Sequence, residues 1–279
     1  MEDAAQVARP TKRPCHGPDH PAGRGVIHFR PQSSGNQMEQ IASPLVSGLY
    51  IVATPIGNLG DITIRATEIL KSVDLIACED TRTTGKLLQH YGIRCAMISC
   101  HEHNERARAE EIAEKIRNGL RVALVCDAGT PTISDPGFRL VRECHARQLL
   151  VTPIPGASAF TTALCASGLP SDAFLFLGFL STKSATRIRV LKGYREFPHT
   201  LILYESCHRA KRLLDEIIQV FGSDRILAVA RELTKLHETF YRGNAGEIQR
   251  LLDERQCRGE FVFLIASENF SASIAEVLA

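Results

Sequence analysis

Short, continuous apolar runs alternate with helical periodicity through the first half of this chain. Apolar residues between the runs recur every three or four positions, as Ile112, Ile116 and Leu120 do. Runs that are apolar throughout are typical of parallel strands with helices on both faces. The alternation therefore predicts an α/β fold with a mainly parallel N-terminal sheet. Its strands are expected in GLYIVAT, DLIAC, CAMIS, RVALVC and QLLVTPI.

The second half of the chain keeps this rhythm but loosens it. Two of its strand-like runs follow each other with no helical period between them, which indicates antiparallel neighbours and a mixed sheet. We therefore predict two α/β domains, residues 47–169 and residues 170–268, followed by a short tail at residues 269–279. The later strands are expected in AFLFLGFL, HTLILYES, RILAVARE, HETFYRG and GEFVFLIAS.

Residues 1–46 differ from the rest of the chain in composition. They are rich in Pro, Gly, His, Gln and Arg and contain no apolar stretch that resembles the core of a signal peptide. Acidic residues at Glu2 and Asp3 argue against an organelle-targeting leader. We predict a disordered extension, because such a segment buries too little apolar surface to fold.

Deletion of residues 1–37 should leave the melting temperature and the activity nearly unchanged, since a disordered segment adds nothing to the core. Thermal unfolding and a turnover assay on the truncated and full chains test this. Loss of either property in the truncated protein would contradict the assignment of this segment.

Charge and cysteine usage restrict the class of protein. The chain has 33 basic and 31 acidic residues, so a nucleic-acid partner would have to meet a local basic patch. Nine cysteines without a CxxC pair or a secretory leader favour a reducing compartment, and we expect a cytoplasmic location. No run reaches the roughly 18 apolar residues that a membrane span needs, so no membrane partner is expected.

Three loops at predicted strand ends combine Gly, Pro and small hydroxyl residues. They are ATPIGNLGDIT, DAGTP and PIPGASAF. Such residues let backbone groups approach a ligand closely, and ligands of parallel sheets bind beyond the carboxyl ends of the strands. Ordinary turn chemistry would explain one such loop, but three together predict a nucleoside-shaped pocket. The spacings of a Walker loop and of GxGxxG are both missing.

Two other features could be either structural or functional. Asp135 precedes Pro136, which predicts a helix cap rather than a site residue. A basic run extends over KSATRIRVLKGYR, and it would be a solvated helix face or, beside a cleft, an RNA-binding surface. Its cations are Lys183, Arg187, Arg189, Lys192 and Arg195.

Histidines in CHEH at residues 100–103 lack a complementary set of ligands elsewhere, so no metal site is predicted. Asn104 is expected to cap the next helix. Ser206, Cys207 and His208 are sequence neighbours, which does not make them a nucleophile and base; Ser206 is expected to cap a helix.

An ordered set of motifs resembles a known family. LYIVATPIGNLGDIT, CEDTRTTGKLL, HEHNE, LVCDAGTPTISDPG, PIPGASA, GLPSDAFLFLGFL, LYESCHR, ARELTKLHET and GEFVFLI follow one another between residues 48 and about 267. They are similar to the small-subunit ribosomal RNA methyltransferase I family of the tetrapyrrole methylase superfamily, the class III S-adenosylmethionine-dependent methyltransferases. The resemblance implies two α/β domains with a cofactor cleft between them.

The resemblance also implies an activity, a cofactor and partners. The activity is 2′-O-methylation of a cytidine ribose in the decoding region of small-subunit (16S) ribosomal RNA, with S-adenosylmethionine as cofactor. The substrate would be the RNA or the assembled small subunit, and a homodimer is expected. The implied cofactor-binding residues are Ile56, Asp127, Thr130, Ser158, Ala159, Glu205 and Leu233. A tetrapyrrole-precursor C-methyltransferase and a non-catalytic cofactor-binding module are the alternatives.

EDTRTTGK follows a predicted strand, on the same sheet edge as the cofactor loops. Glu79 or Asp80 could accept the proton of the ribose hydroxyl, and Arg82 could hold a phosphate. A cluster that caps the next helix is the structural alternative.

Overall fold

The computed structural model describes residues 45–253 and 258–270. Most of the predicted extension at residues 1–46 and of the predicted tail at residues 269–279 lies outside these ranges. No helix within them is long and apolar enough to cross a membrane.

The N-terminal sheet is entirely parallel, as predicted, with strand order β3-β2-β4-β1-β5. Its strands are β1 (Gly48–Val52), β2 (Leu75–Cys78), β3 (Ala96–Ser99), β4 (Arg121–Val125) and β5 (Val151–Ile154). The intervening helices are α1 (Ile64–Ser72), α2 (Thr81–His90), α3 (Glu105–Arg117) and α4 (Phe138–Ala146), with a 3-10 turn at Leu59–Asp61.

Both faces of this sheet are buried, which explains why its strands are apolar throughout. In β1, Val52 packs into a cluster with α1, whereas Leu49 packs on the other face against α3 and α4. In β2, Ile76 and Ala77 divide between the two faces in the same way. Because helices cover both faces of the sheet, residues that contact a ligand must come from the loops at the strand ends.

The C-terminal sheet is mixed, as predicted, with order β6-β7-β10-β8-β9. Only β6 and β7 pair in parallel, and β8 and β9 form the antiparallel neighbours expected from the missing helical period. The strands are β6 (Phe174–Phe179), β7 (Thr200–Ser206), β8 (Ile226–Arg231), β9 (Thr239–Asn244) and β10 (Glu260–Ile265). The helices are α5 (Ala159–Ser167), α6 (Ser184–Gly193), α7 (Cys207–Phe221) and α8 (Ala245–Asp253).

Helix α5 joins the two sheets. It precedes the predicted boundary at residues 169–170, yet Ala163 and Leu164 pack on Ile202 and Val262 of the second sheet. Both sheets fall within one compact unit of the chain. The division into two domains stays a prediction.

The basic run in α6 requires a correction at Arg187. Its side chain is 0% exposed, and its Nη2 lies 2.6 Å from Oε1 of Glu216 in α7. A second bond joins Nε to Oε2 at 2.7 Å. Burial of the Arg187 guanidinium without a carboxylate partner would cost too much free energy for a stable fold. Arg187 therefore fixes α6 on α7 and does not contact RNA. The other cations of the run, Lys183, Arg189, Lys192 and Arg195, are exposed.

Candidate functional site

The three Gly- and Pro-containing loops lie together at the carboxyl edge of the parallel sheet. Thr54 and Gly129 exchange two backbone hydrogen bonds, with N···O distances of 2.8 and 3.0 Å. The Thr130 hydroxyl donates to the Ala157 carbonyl at 3.0 Å, which ties the second loop to the third. The loops thus brace one another around a common space.

The loop after β4 holds unusual backbone conformations. Gly129 has φ +89°, and a Cβ there would lie 3.3 Å from Cγ2 of Ile56. Thr132 and Ser134 also adopt positive φ, at 75° and 64°. Non-glycine residues seldom accept this conformation, and it concentrates at ligand sites. Glycine at position 129 therefore keeps the loop close to Ile56 without a side chain between them.

A cavity of about 290 Å³ lies between these loops and the C-terminal sheet. Its walls include all of the residues for which the resemblance implies cofactor contact: Ile56, Asp127, Thr130, Ser158, Ala159, Glu205 and Leu233. Five come from the loops of the parallel sheet, and Glu205 and Leu233 come from the second half of the chain. The fold therefore brings together residues separated by up to 177 positions, from Ile56 to Leu233.

Five carboxyl groups line this cavity, and three of them, Glu79, Asp127 and Asp135, lie at the strand-end loops of the parallel sheet. The pKa of each of these three is raised, first by burial, and for Glu79 also by the negative charge of Asp127. Oδ1 of Asp127 accepts from the Asp80 backbone N–H at 3.2 Å, linking the ends of β4 and β2. The three carboxyl groups therefore hold protons more readily than free carboxyl groups do.

Asp135 corrects the sequence-based prediction. The N-cap of α4 is Gly137, and Glu105 rather than Asp135 accepts from the Gly137 and Arg139 backbone N–H groups, at 2.9 and 2.7 Å. Asp135 instead lines the cavity, where burial and the Glu79 carboxylate raise its pKa to about 7. The sequence signal that could have marked Asp135 as a site residue is its position shortly after DAGTP, in the loop at the end of β4. Phe179, Tyr204 and Glu260 also line the cavity. They stand in the motifs GLPSDAFLFLGFL, LYESCHR and GEFVFLI, which did not single them out as site residues.

Asp135→Asn should change the pH dependence of folding stability. The folded pKa of about 7 exceeds the ordinary value of 3.8, so the folded state binds the proton more tightly and stability falls as pH rises between those values. The variant should lose part of this decline when the free energy of unfolding is measured by urea titration from pH 4 to pH 8.

Asp74→Asn is the matched control for that titration, because the Arg121 guanidinium lowers the pKa of Asp74 to about 2, below the window. It should retain the decline. An unchanged decline in Asp135→Asn would show that this carboxyl does not titrate abnormally.

Glu205, which lines the cavity, has an unsatisfied carboxylate oxygen. Its residue is 1% exposed, and Oε1 accepts from the Ser206 backbone and from Nη2 of Arg209 at 2.8 and 2.7 Å. Oε2 is buried and has no hydrogen-bond partner among the described residues. A buried carboxylate oxygen without a donor is costly, which makes Glu205 a candidate to accept a hydrogen bond from a ligand.

Asp80 and Arg82 lie at the site's edge rather than in this cavity. Asp80 is the N-cap of α2 and accepts from the Arg82 backbone at 2.8 Å. Its carboxylate also pairs with the Arg82 guanidinium at 2.7 Å, which lowers the Asp80 pKa to about 2. The Arg82 side chain is 87% exposed. Of the two candidate proton acceptors, only Glu79 lines the cavity.

Two predicted helix caps have the expected position without the expected bond. Asn104 stands at the N-cap of α3, but its side chain accepts from the His101 backbone at 2.8 Å. Ser206 stands at the N-cap of α7 and makes no capping bond.

In the ranges 45–253 and 258–270, no three His, Cys, Asp or Glu side chains converge as metal ligands.

Known proteins resemble this chain in sequence and in fold. Residues 48–249 match the family model of the tetrapyrrole (corrin/porphyrin) methylases. Ribosomal RNA small subunit methyltransferase I of Escherichia coli O157:H7 is 50% identical over 219 residues, 78% of this chain and 77% of that protein. The protein of the same name from Synechocystis sp. is 51% identical over 218 residues, 78% of each.

Among solved structures, uroporphyrin-III-C-methyltransferase from Thermus thermophilus superposes with a TM-score of 0.55 at 16% identity, covering 83% of this chain and 98% of that one. At 16% sequence identity, this likeness shows the fold alone.

Proposed function

This chain belongs to the tetrapyrrole methylase family, among the ribosomal RNA small subunit methyltransferase I proteins, and we propose from this that it methylates ribosomal RNA. The reaction is transfer of a methyl group from S-adenosylmethionine to the ribose 2′-oxygen of a cytidine in the decoding region of small-subunit RNA. The observation that carries the proposal is the convergence of all seven expected cofactor residues on one cavity.

The residues that line the cavity of about 290 Å³, called the first cavity below, suit S-adenosylmethionine. The free Oε2 of Glu205 supplies an acceptor for an amino or hydroxyl group. Ser158 and Ala159 stand at the N-terminus of α5, where backbone N–H groups favour a carboxylate. The carboxyl wall of Glu79, Asp127 and Asp135 favours a cation. When bound, the cofactor supplies a methyl group on a positively charged sulfur.

Glu79 is the residue that we propose as proton acceptor for the ribose hydroxyl. It lines the cavity, and its raised pKa makes it a better base than the ion-paired Asp80. We propose that Asp80 caps α2 and holds Arg82, whose exposed guanidinium is available to an RNA phosphate. Because the cofactor methyl is activated, holding the hydroxyl in line contributes alongside proton removal.

A tetrapyrrole-precursor C-methyltransferase is the second candidate. It is favoured by the name of the family model and by the shared fold at 16% identity, whereas relatives at 50% identity carry the ribosomal RNA name. A non-catalytic module would not require a carboxyl group of raised pKa beside the cofactor cavity. From the resemblance, we also propose a homodimer in the cytoplasm, which sedimentation and fractionation can test.

Labelled S-adenosylmethionine distinguishes these functions. The protein should transfer label to small ribosomal subunits that lack the modification and should leave a tetrapyrrole precursor unlabelled. Label in the tetrapyrrole alone would support the second candidate, and cofactor binding without transfer to either acceptor would support the module.

A further inference from the structure

A second cavity, of about 370 Å³, adjoins the first. The two cavities share Ile56, Asp127, Ala128 and Glu260 as lining residues. The rest of the second cavity is formed by the loop after β1, by one face of α2 and by Lys235. Its volume lies within the range of ligand sites, about 300–1,000 Å³. The methyl group passes directly from the cofactor to its acceptor, so the acceptor must bind next to the cofactor cavity. A ligand in the second cavity would lie in such a position.

The loop after β8 separates the two spaces and is held in a strained conformation. Glu232 and Thr234 have φ of 52° and 65°. Leu233, which lies between these two residues, lines the first cavity. Lys235, which follows them, lines the second. The Thr234 hydroxyl accepts from the Asn58 backbone at 3.1 Å, which fixes this loop on the loop after β1. Strain retained at such a position is characteristic of a preorganised site.

The charges along the second cavity differ in their availability. Lys235 is already neutralised, because its Nζ lies 2.8 Å from a Glu232 oxygen and 3.0 Å from a Glu260 oxygen. Lys86, which is exposed, makes no ion pair or hydrogen bond with any described residue. It is four positions after Arg82 in α2, so the two cations project from one face of the helix.

Two hydroxyl residues of α2 also line the second cavity. Thr83 is exposed and lines the second cavity. Thr84 also lines it, and the Thr84 hydroxyl is buried without a hydrogen-bond partner of ordinary geometry in the described part of the chain. The Cys78 thiol lies beside this hydroxyl and is at most a weak partner. The cavity thus offers the unpaired cation of Lys86 and the exposed hydroxyl residue Thr83, which suit a phosphate and a sugar.

We propose that this second cavity receives the ribonucleotide to be methylated, with Lys86 on its phosphate and Thr83 along its sugar. This inference rests on the proposed function, since it requires a ribonucleotide acceptor. Unstacked, single-stranded nucleotides are the form of RNA that side chains can surround. The shared wall at Asp127 and Ala128 then places the ribose next to the cofactor cavity.

Two variants test the proposal on the full chain. Lys86→Gln should raise the KM for undermethylated small ribosomal subunits about five- to tenfold at about 0.1 M salt and should lower the salt dependence by about one phosphate contact. Thr83→Phe should fill the cavity and abolish transfer. Both variants should bind S-adenosylmethionine in calorimetry as the parent does, because neither residue lines the first cavity.

Controls with the same chemistry lie at the end of α1, away from both cavities: Lys71→Gln for the charge and Ser72→Phe for the bulk. Both should behave as the parent. If the parent protein itself transfers no methyl group to the subunits, the proposed function fails. If the parent is active but Lys86→Gln keeps the parent KM and salt dependence, the second cavity is not the nucleotide site. Lys86→Gln decides the matter alone if Thr83→Phe loses cofactor binding.

Discussion

Glu79→Gln is expected to slow methyl transfer by a factor of about 10²–10⁴, the usual contribution of a general base. The change keeps the size of the side chain and removes only its ability to take a proton. Single-turnover transfer from labelled S-adenosylmethionine to undermethylated small subunits measures the effect. Cofactor affinity should change little, because Asp127 and Asp135 still line the cavity.

Asp80→Asn is the matched comparison, since it makes the same chemical change one residue away. Asparagine is also a favourable N-cap, so α2 should persist. The rate should stay within a few-fold of the parent rate, as Asp80 lies outside the cavity and holds a pKa of about 2. A parent-like rate in Glu79→Gln would remove Glu79 as the base, and a large loss in Asp80→Asn alone would transfer that role to Asp80.

Arg187→Met is expected to destabilise the fold by about 3–5 kcal/mol, because it leaves the Glu216 carboxylate buried without its cation. Glu216 is 4% exposed, and its only other described donor is the Ser184 hydroxyl, at 2.6 Å. For a chain of this size the melting temperature should fall by about 6–20 °C.

The double variant Arg187→Met/Glu216→Leu should recover much of this loss, since replacing both partners with apolar groups removes the uncompensated charge. Arg117→Met breaks an exposed pair with Glu114 and should cost no more than about 1 kcal/mol. A single variant at Arg187 as stable as the parent would contradict the buried-pair account, as would a double variant that is no more stable than the single one.

The sheets could be predicted from the sequence because most of their strands are short apolar runs separated by helical periods or turns. Each described strand coincides with a predicted run to within a few residues. Helix α5 gave a weaker signal, because its sequence, AFTTALCAS, has small residues and no charged face. It packs on the second sheet and leaves Thr161, Cys165 and Ala166 exposed.

The site could be predicted only where a local motif marked it. The strand-end loops did so, and the resemblance implied seven residues that the fold gathers on one cavity. Asp135 was assigned to a cap because its neighbour is a proline, whereas its environment depends on Glu79, 56 positions earlier. Arg187 looked like a surface cation because its partner, Glu216, is 29 positions away. Pairings across such distances leave no local pattern.

The position of the transferred methyl group tests the central claim most directly. Alkali cleaves RNA through attack by the 2′-oxygen, so a methyl group on that oxygen protects the adjacent 3′ linkage. Undermethylated small subunits labelled by this protein should therefore release, after alkaline hydrolysis, an alkali-resistant dinucleotide in which the label is on a cytidine ribose. Label recovered instead in a mononucleotide methylated on its base would contradict the account.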